Sequence, residues 1–316
     1  MSSRFLFHRL LQMLVTLFVM SFLVYALIGL MPGDPVDLML AGNPHITPED
    51  AIRLKALYGL DKPLLERYAH WGLALLGGDA GYSRLYGLPV MQVLLPRLLN
   101  TAVLMGLSLA LTLVIALPLG VYAAQRPQSP ADKLINVFCL SGMSLPAFWL
   151  SLLLISLFVV KLGWLPASAT LSNPLSLLLP VLTLTIGGLA IYIRHMRSAM
   201  IEALRADHIK TARAKGCSDS RVTWNHAFKN ALPPVVTILM LDLGALMSGA
   251  VTVETIFAYP GMGKLMFDAV MGNDFNLAMV GFLLLTSFVM LGNFMADVTY
   301  ALLDPRVESG TANGHE

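Results

Sequence analysis

Of the 316 residues, 56% are hydrophobic and only 13% charged, the net charge is +2 and the mean hydropathy is +0.71. A soluble domain carries roughly 25% charged residues, so this composition excludes a single water-soluble core and points to a lipid-facing exterior. The small, dispersed positive charge gives no footprint for nucleic acid.

A membrane-crossing helix needs about 20 apolar residues to cross a core about 30 Å thick. Six charge-poor windows meet that length. The first, Leu10 to Met31, follows Arg4 and Arg9 and ends at Pro32-Gly33-Asp34-Pro35. It is longer than a signal-peptide core and lacks a small-residue cleavage site, so it reads as an anchor. A polar stretch from Pro32 to Asn100 follows, with a helix start at Thr47-Pro48-Glu49-Asp50 that combines a cap, proline at the first position and acids at the positive end. This stretch reads as a small extracytoplasmic cap. The remaining windows are Thr101 to Ala124, Leu134 to Val160, Leu177 to Ile193, Pro233 to Val253 and Phe275 to Ala296. The expected architecture is an all-α membrane protein of six transmembrane helices. Its parts are an anchor (1–31), the cap (32–100), a five-span core (101–303) with a loop at 194–233, and a tail (304–316). A count of five or seven would need a half-span in the third or fourth window.

Orientation follows from the positive-inside bias. With the amino terminus inside, 13 of the 21 basic residues fall in segments 1–9, 123–133, 194–231 and 304–316. The cap balances six bases with seven acids. Both termini are therefore expected in the cytoplasm.

The one long inside loop, Arg194 to Ala231, reads as two short helices joined by a turn. Ala199 to Leu204 opens the first and Thr211-Ala212-Arg213-Ala214-Lys215 continues it. Gly216 suits the left-handed position that ends helices. Ser218 or Asp219 caps the second, which is expected to stop at Pro233-Pro234. Such a basic amphipathic element suits either a groove on another protein or the lipid headgroups, and the residues alone leave both open.

The stretch Ile209 to Gly216, followed by Lys229-Asn230-Ala231-Leu232-Pro233, resembles the EAA loop of binding-protein-dependent ABC permeases. Lys210 and Thr211 stand where the general motif has Glu and Ala. The Thr-Ala-Arg-Ala-Lys-Gly form resembles the dipeptide, oligopeptide and nickel branch. Similar marks occur in that family's order at 31–35, 59–64, 78–83, 163–166, 254–263 and 303–306. The resemblance implies that Thr211, Ala212, Arg213, Ala214, Lys215, Gly216, Asn230, Leu232 and Pro233 form the ATPase-coupling element. It also implies a second homologous permease, two ATP-binding subunits, an extracytoplasmic binding protein and a location in a bacterial-type inner membrane. The chain itself is expected to need no cofactor, with ATP and Mg2+ held by the partners. A phosphate loop needs G-x-x-x-x-G-K-[ST], and Gly261-Met262-Gly263-Lys264-Leu265 lacks both its spacing and its hydroxyl. The implied cycle is alternating access driven by nucleotide.

The path for cargo is read from charge and breaks. Asp242 lies within the fifth window, where a charge faces a cavity or a partner; contact with a cationic group of the cargo and a structural bond to a neighbouring helix stay open. Met143, Ser144 and Pro146, in the run Ser141 to Pro146, interrupt the third window, as a pore lining or as a packed kink. Gly244, Ser248 and Gly249 suit close helix packing. Neither the seven histidines nor Cys139 and Cys217 suggest a metal site or disulfide. Short peptides are the expected cargo, with glutathione, nickel and metal–metallophore complexes as alternatives for the same machinery. A proton-coupled carrier using Asp242 is the rival of another class, although no inverted repeat accompanies it. An intramembrane enzyme finds no catalytic constellation.

Overall fold

A computed structural model describes residues 3–29, 62–246 and 251–303. The cap's helix start at 47–50, Ser248 and Gly249, and the tail 304–316 lie outside them. Regular structure among the described residues is helical, with two isolated bridges, Tyr82–Pro89 and Thr170–Asn173.

The helices are α1 (Ser3–Gly29), α2 (Leu64–Leu76), α3 (Val90–Gln125), α4 (Pro130–Ser144), α5 (Ala147–Leu154, prolonged by π-helical Ile155–Lys161) and α6 (Leu178–Arg205). The loop helices are α7 (Asp207–Ala214) and α8 (Asp219–Arg221). A π-helical stretch, Val222–Ala227, leads from α8 into α9 (Phe228–Leu246), and α10 (Val251–Ile256), α11 (Met262–Met271) and α12 (Phe275–Leu303) complete the order.

Among the described residues, four helices are long and apolar enough to cross a bilayer: Phe7–Gly29, Val90–Gln125, Pro174–Arg205 and Phe275–Thr299. The pair α4–α5 is a fifth if its two arms are counted as one span, bent by 99°. Its break falls at Leu145-Pro146, inside the run expected to interrupt the third window. Proline lacks an amide hydrogen and disfavours helix in the residue before it, and Leu145 is extended at φ −86°, ψ 119°. The fifth window runs along α9 into residues outside the description.

Three expected boundaries move. α3 starts at Val90 rather than Thr101, and at 36 residues its length is about 54 Å at 1.5 Å per residue, beyond what the bilayer core requires. α6 does not end at Ile193; it continues through the charged residues to Arg205. α9 passes through Pro233 and Pro234 instead of stopping there. Windows end where charge begins, whereas a helix leaving the bilayer keeps its own backbone hydrogen bonds. At the loop edge, water can also satisfy the carbonyls that the two prolines leave unpaired.

Helices α3 and α6 pack along one another. α9 and α12 cross where Gly244 and Gly292 meet, so close that a Cβ on Gly292 would lie 2.2 Å from the Gly244 Cα. This gives Gly244 its expected packing role. α1 lies against α12, with Arg9 Nε 3.3 Å from Asp297 Oδ2. Outward, α1 shows Leu10, Leu11, Leu14, Val15 and Phe18, a surface suited to lipid and unsuited to water.

Candidate functional site

The loop between α6 and α9 is built from its ends. Ala206, at φ −66° and ψ 151°, breaks the chain between α6 and α7. The expected single helix from Ala199 to Lys215 is therefore two helices meeting at Ala206. On α7, Ile209 and Ala212 are buried in one cluster with Met196, Met200 and Ala203 of α6 and Val222, Ala227 and Ala231 beyond the turn. Residues three apart share a helix face, so the opposite face carries Lys210, Thr211, Arg213 and Ala214, all exposed. Lys210 pairs with Asp207 at 2.8 Å, and the Thr211 hydroxyl donates to the Asp207 carbonyl at 3.1 Å.

Gly216 has φ +77°, the left-handed geometry expected of it. Its amide donates to the Arg213 carbonyl at 2.9 Å and that of Cys217 to Ala212 at 3.2 Å, closing the helix end. Lys215 and Gly216 are exposed at the turn. Between the two expected caps, Ser218 is the one used: its hydroxyl accepts from the Arg221 amide at 3.4 Å. Asn230 ties the two sides together, its amide nitrogen lying 3.1 Å from His208 Nε2 on α7 and 2.8 Å from the His226 carbonyl. Leu232 and Pro233 are half-buried in the first turns of α9. The result is a short basic helix fixed from behind by apolar packing and by Asn230, with its front face open.

Two of the candidate path residues, Asp242 and Met143, touch α6. The Tyr192 hydroxyl donates to Asp242 Oδ2 at 2.5 Å. Asp242 thus has a partner on a neighbouring helix, the structural bond left open above. Met143 is half exposed, and its sulfur receives Arg194 Nη1 at 3.3 Å. Ser144, the last residue of α4, donates to the Leu140 carbonyl at 2.8 Å. Pro146 opens α5. Met143 lines a shallow groove with Ile191, Arg194, His195 and Ser198. Asp242 meets α6 at the buried Tyr192, about 160° around the helix from Arg194, and does not line that groove.

Two charged networks escaped sequence reasoning. Arg197 grips Asp132 in a bidentate pair, both contacts 2.7 Å, joining α6 to the start of α4. Asp132 is buried and also accepts from the Gln128 amide and from Asn136. On the far side, Glu254 is fully buried. It accepts from the Thr101 hydroxyl at 2.7 Å and from the Lys264 amide at 2.9 Å. Burial raises its carboxyl above the ordinary carboxylate range, opposed by the Lys264 and Gly263 amides and by Thr101. The helix start at Gly261–Lys264, the faint echo of a phosphate loop, thus already holds a carboxylate of its own chain. Tyr259, beside it, donates to the Asn100 carbonyl at 2.7 Å, and burial with the nearby acid pushes its phenol up to about 12. The segments 78–83 and 254–263, quoted above for resemblance, thus build the layer opposite the loop. There the Ser83 hydroxyl donates to Asp274 at 2.5 Å, and Asp274 accepts from the Leu277 amide at the start of α12. Among the described residues, no three of His, Cys, Asp and Glu come together as a metal ligand set, and both cysteines are free thiols.

Comparison with known proteins fits this arrangement. The chain is 36% identical to the oligopeptide transport system permease protein AppB of Bacillus subtilis, over 97% of this chain and 99% of that protein. It is 34% identical to the dipeptide transport system permease protein DppB of Escherichia coli K12 (96% and 98%). It is 36% identical to the di/tripeptide transport system permease protein DppB of Pseudomonas aeruginosa (96% and 98%). Two crystal forms of the MetNI methionine ABC transporter in inward-facing conformations share the fold. Their TM-scores are 0.55 and 0.56 at 21% identity, covering 68% of this chain and 98% of that one. The family of binding-protein-dependent transport system membrane components matches at residues 2–85 for its N-terminal part. Its main part, the inner membrane component, matches at 116–309, and the chain belongs to this family.

Proposed function

We propose that this chain is the translocation subunit of an ATP-driven importer of short peptides, and that α7 with the Gly216 turn is the element through which partner ATPases drive it. The observation that carries the proposal is the two-faced build of α7, anchored by Ile209 and Ala212 and open at Lys210, Thr211, Arg213 and Lys215. A lone helix of eight residues is marginal in water, so one held in place and left uncovered is suited to a partner's cleft. The same residues carry the resemblance to the EAA loop. Peptides are favoured as cargo because the relatives above are named as oligopeptide, dipeptide and di/tripeptide permeases.

In this reading six spans cross the inner membrane, with the bent α4–α5 pair as the third and α9 opening the fifth. Both termini and α7 face the cytoplasm, as the basic bias requires. A second homologous permease completes the path, two ATP-binding subunits seat against the two α7 helices, and a binding protein delivers cargo from outside. Nucleotide drives alternating access only by binding one conformer more tightly than the other. Because Ile209 and Ala212 share a cluster with Met196, Ile193 and Tyr192 of α6, a push on α7 reaches Tyr192, the partner of Asp242, through one packed unit. The test is uptake of labelled di- and tripeptides by proteoliposomes holding all subunits. Uptake that needs ATP and the binding protein supports the reading, and uptake of a nickel chelate but not of peptide overturns the choice of cargo.

A further inference from the structure

The stretch between the first two spans reads by composition as an extramembrane cap, but α2 carries the wrong surface for water. Viewed down its axis, α2 has three sectors. Tyr68, Trp71 and Leu75 pack against the apolar cluster that includes Tyr25 and Ile28 of α1. Glu66 and His70 form a polar edge, with Glu66 bonded to Lys62 at 2.8 Å. The third sector holds Leu65, Leu73 and Leu76, which are 68%, 69% and 87% exposed.

The packing against α1 sets the depth. The Tyr68 hydroxyl lies 2.7 Å from the hydroxyl of Ser21, and its ring meets Phe18, Phe22 and Tyr25 at centroid distances of 6.1, 5.3 and 5.5 Å. Ser21 precedes the helix end at Gly29 by eight residues, which is about 12 Å along the axis at 1.5 Å per residue. Tyr68 therefore sits below the end of an apolar span, within a cluster of Tyr25, Tyr68 and Trp71 of the kind found at a membrane–water boundary. Phe18 borders both surfaces. It touches Tyr68 and is itself 66% exposed on the outward apolar face of α1.

We propose that α2 is an interfacial helix immersed in the leaflet around the Gly29 end of α1, and that Leu65, Leu73 and Leu76 contact lipid acyl chains. The apolar sector of α2 continues the lipid-facing surface of α1 across Phe18, while Glu66 and His70 reach toward the headgroups. A polar face beside a wide apolar face matches helices that lie in the interface plane.

The complete transporter in nanodiscs tests this. A carbene reagent confined to the bilayer, applied to the unaltered chain and read by mass spectrometry, is expected to mark 64–76 as strongly as 14–23 of α1. Nitroxides at Leu65, Leu73 and Leu76, with Cys139 and Cys217 replaced, are expected to collide with oxygen several-fold more than with a water-soluble nickel chelate, as at Phe18. A label at His70 should show the reverse. Labels at Leu65, Leu73 and Leu76 that behave like the one at His70 overturn the proposal in favour of a water-exposed cap. Labels closed to both reagents, with no carbene on 64–76, overturn it in favour of a protein cover, from the second permease or the binding protein.

Discussion

Replacing Gly216 by proline removes two features of the α7 end at once. The backbone there stands at φ +77°, whereas the proline ring holds φ near −65°. The glycine amide that proline lacks donates to the Arg213 carbonyl at 2.9 Å. Left-handed backbone costs an ordinary L-residue about 1–2 kcal/mol, and a lost hydrogen bond about 1 kcal/mol more. Proline cannot reach the angle at all, so the native turn is disfavoured by about 3 kcal/mol or more. Alanine separates the terms: its Cβ would meet no atom within 4 Å, so only the backbone cost remains. About 1.4 kcal/mol is tenfold in an equilibrium. Alanine should thus reduce the population of the native turn by about one order of magnitude and proline by two or more. The assay is ATP-driven peptide uptake by reconstituted transporter, with insertion and subunit assembly followed by co-purification. Uptake is expected to fall partially in Gly216→Ala and to vanish in Gly216→Pro, with insertion intact in both. Normal uptake by the proline variant would refute the assignment of this turn to coupling.

Removing one partner of a buried ion pair leaves the other uncompensated, at about 3–5 kcal/mol, reduced here because Arg197 is 23% exposed. Asp132→Ala should accordingly lower the thermal midpoint of the purified protein well beyond an exposed control such as Glu202→Ala. Gly292→Ala forces a Cβ against the Gly244 backbone and should destabilise by about 1–3 kcal/mol, visible in the same melt. Glu254, between the last two apolar windows, has a carboxyl raised by burial. The fold then binds more protons than the unfolded chain above the ordinary carboxylate range, so its contribution to stability declines as pH rises through the raised value. Glu254→Gln should flatten that decline in melts run across mildly acidic to neutral pH. Asp242→Asn keeps an acceptor for the Tyr192 hydroxyl; assembly should survive, and a change in peptide preference would place Asp242 on the path.

The features legible in the sequence were those encoded locally. Apolar length marked the spans, proline at 146 marked the break that divides α4 from α5, and glycine at 216 marked the left-handed turn. The boundaries were not legible, because hydropathy senses the edge of the bilayer and a helix does not. Arg194 and Arg197 closed the fourth window and so looked like loop residues, yet α6 carries both of them. The pair of Arg197 with Asp132 joins residues 65 apart, and no local pattern in the sequence announces it. Glu254 was readable as part of a motif, but not as the acceptor that joins Thr101 to the start of α11. Only folding brings those residues together. In α2 the charged residues Glu66 and Arg67 are spaced among leucines, and only the arrangement around the axis shows that Leu65, Leu73 and Leu76 share one exposed face.

The central claim is that this chain passes cargo on the strength of nucleotide bound by its partners, and one reconstitution tests it. Proteoliposomes holding the full set of subunits would be loaded with ATP, supplied with binding protein and labelled dipeptide outside, and compared with vesicles whose ATPases lack the phosphate-loop lysine. The account predicts uptake that disappears in the second set and is indifferent to a proton uncoupler when ATP is held constant. Uptake that survives loss of that lysine and collapses with the uncoupler would contradict it and make the chain a proton-coupled carrier.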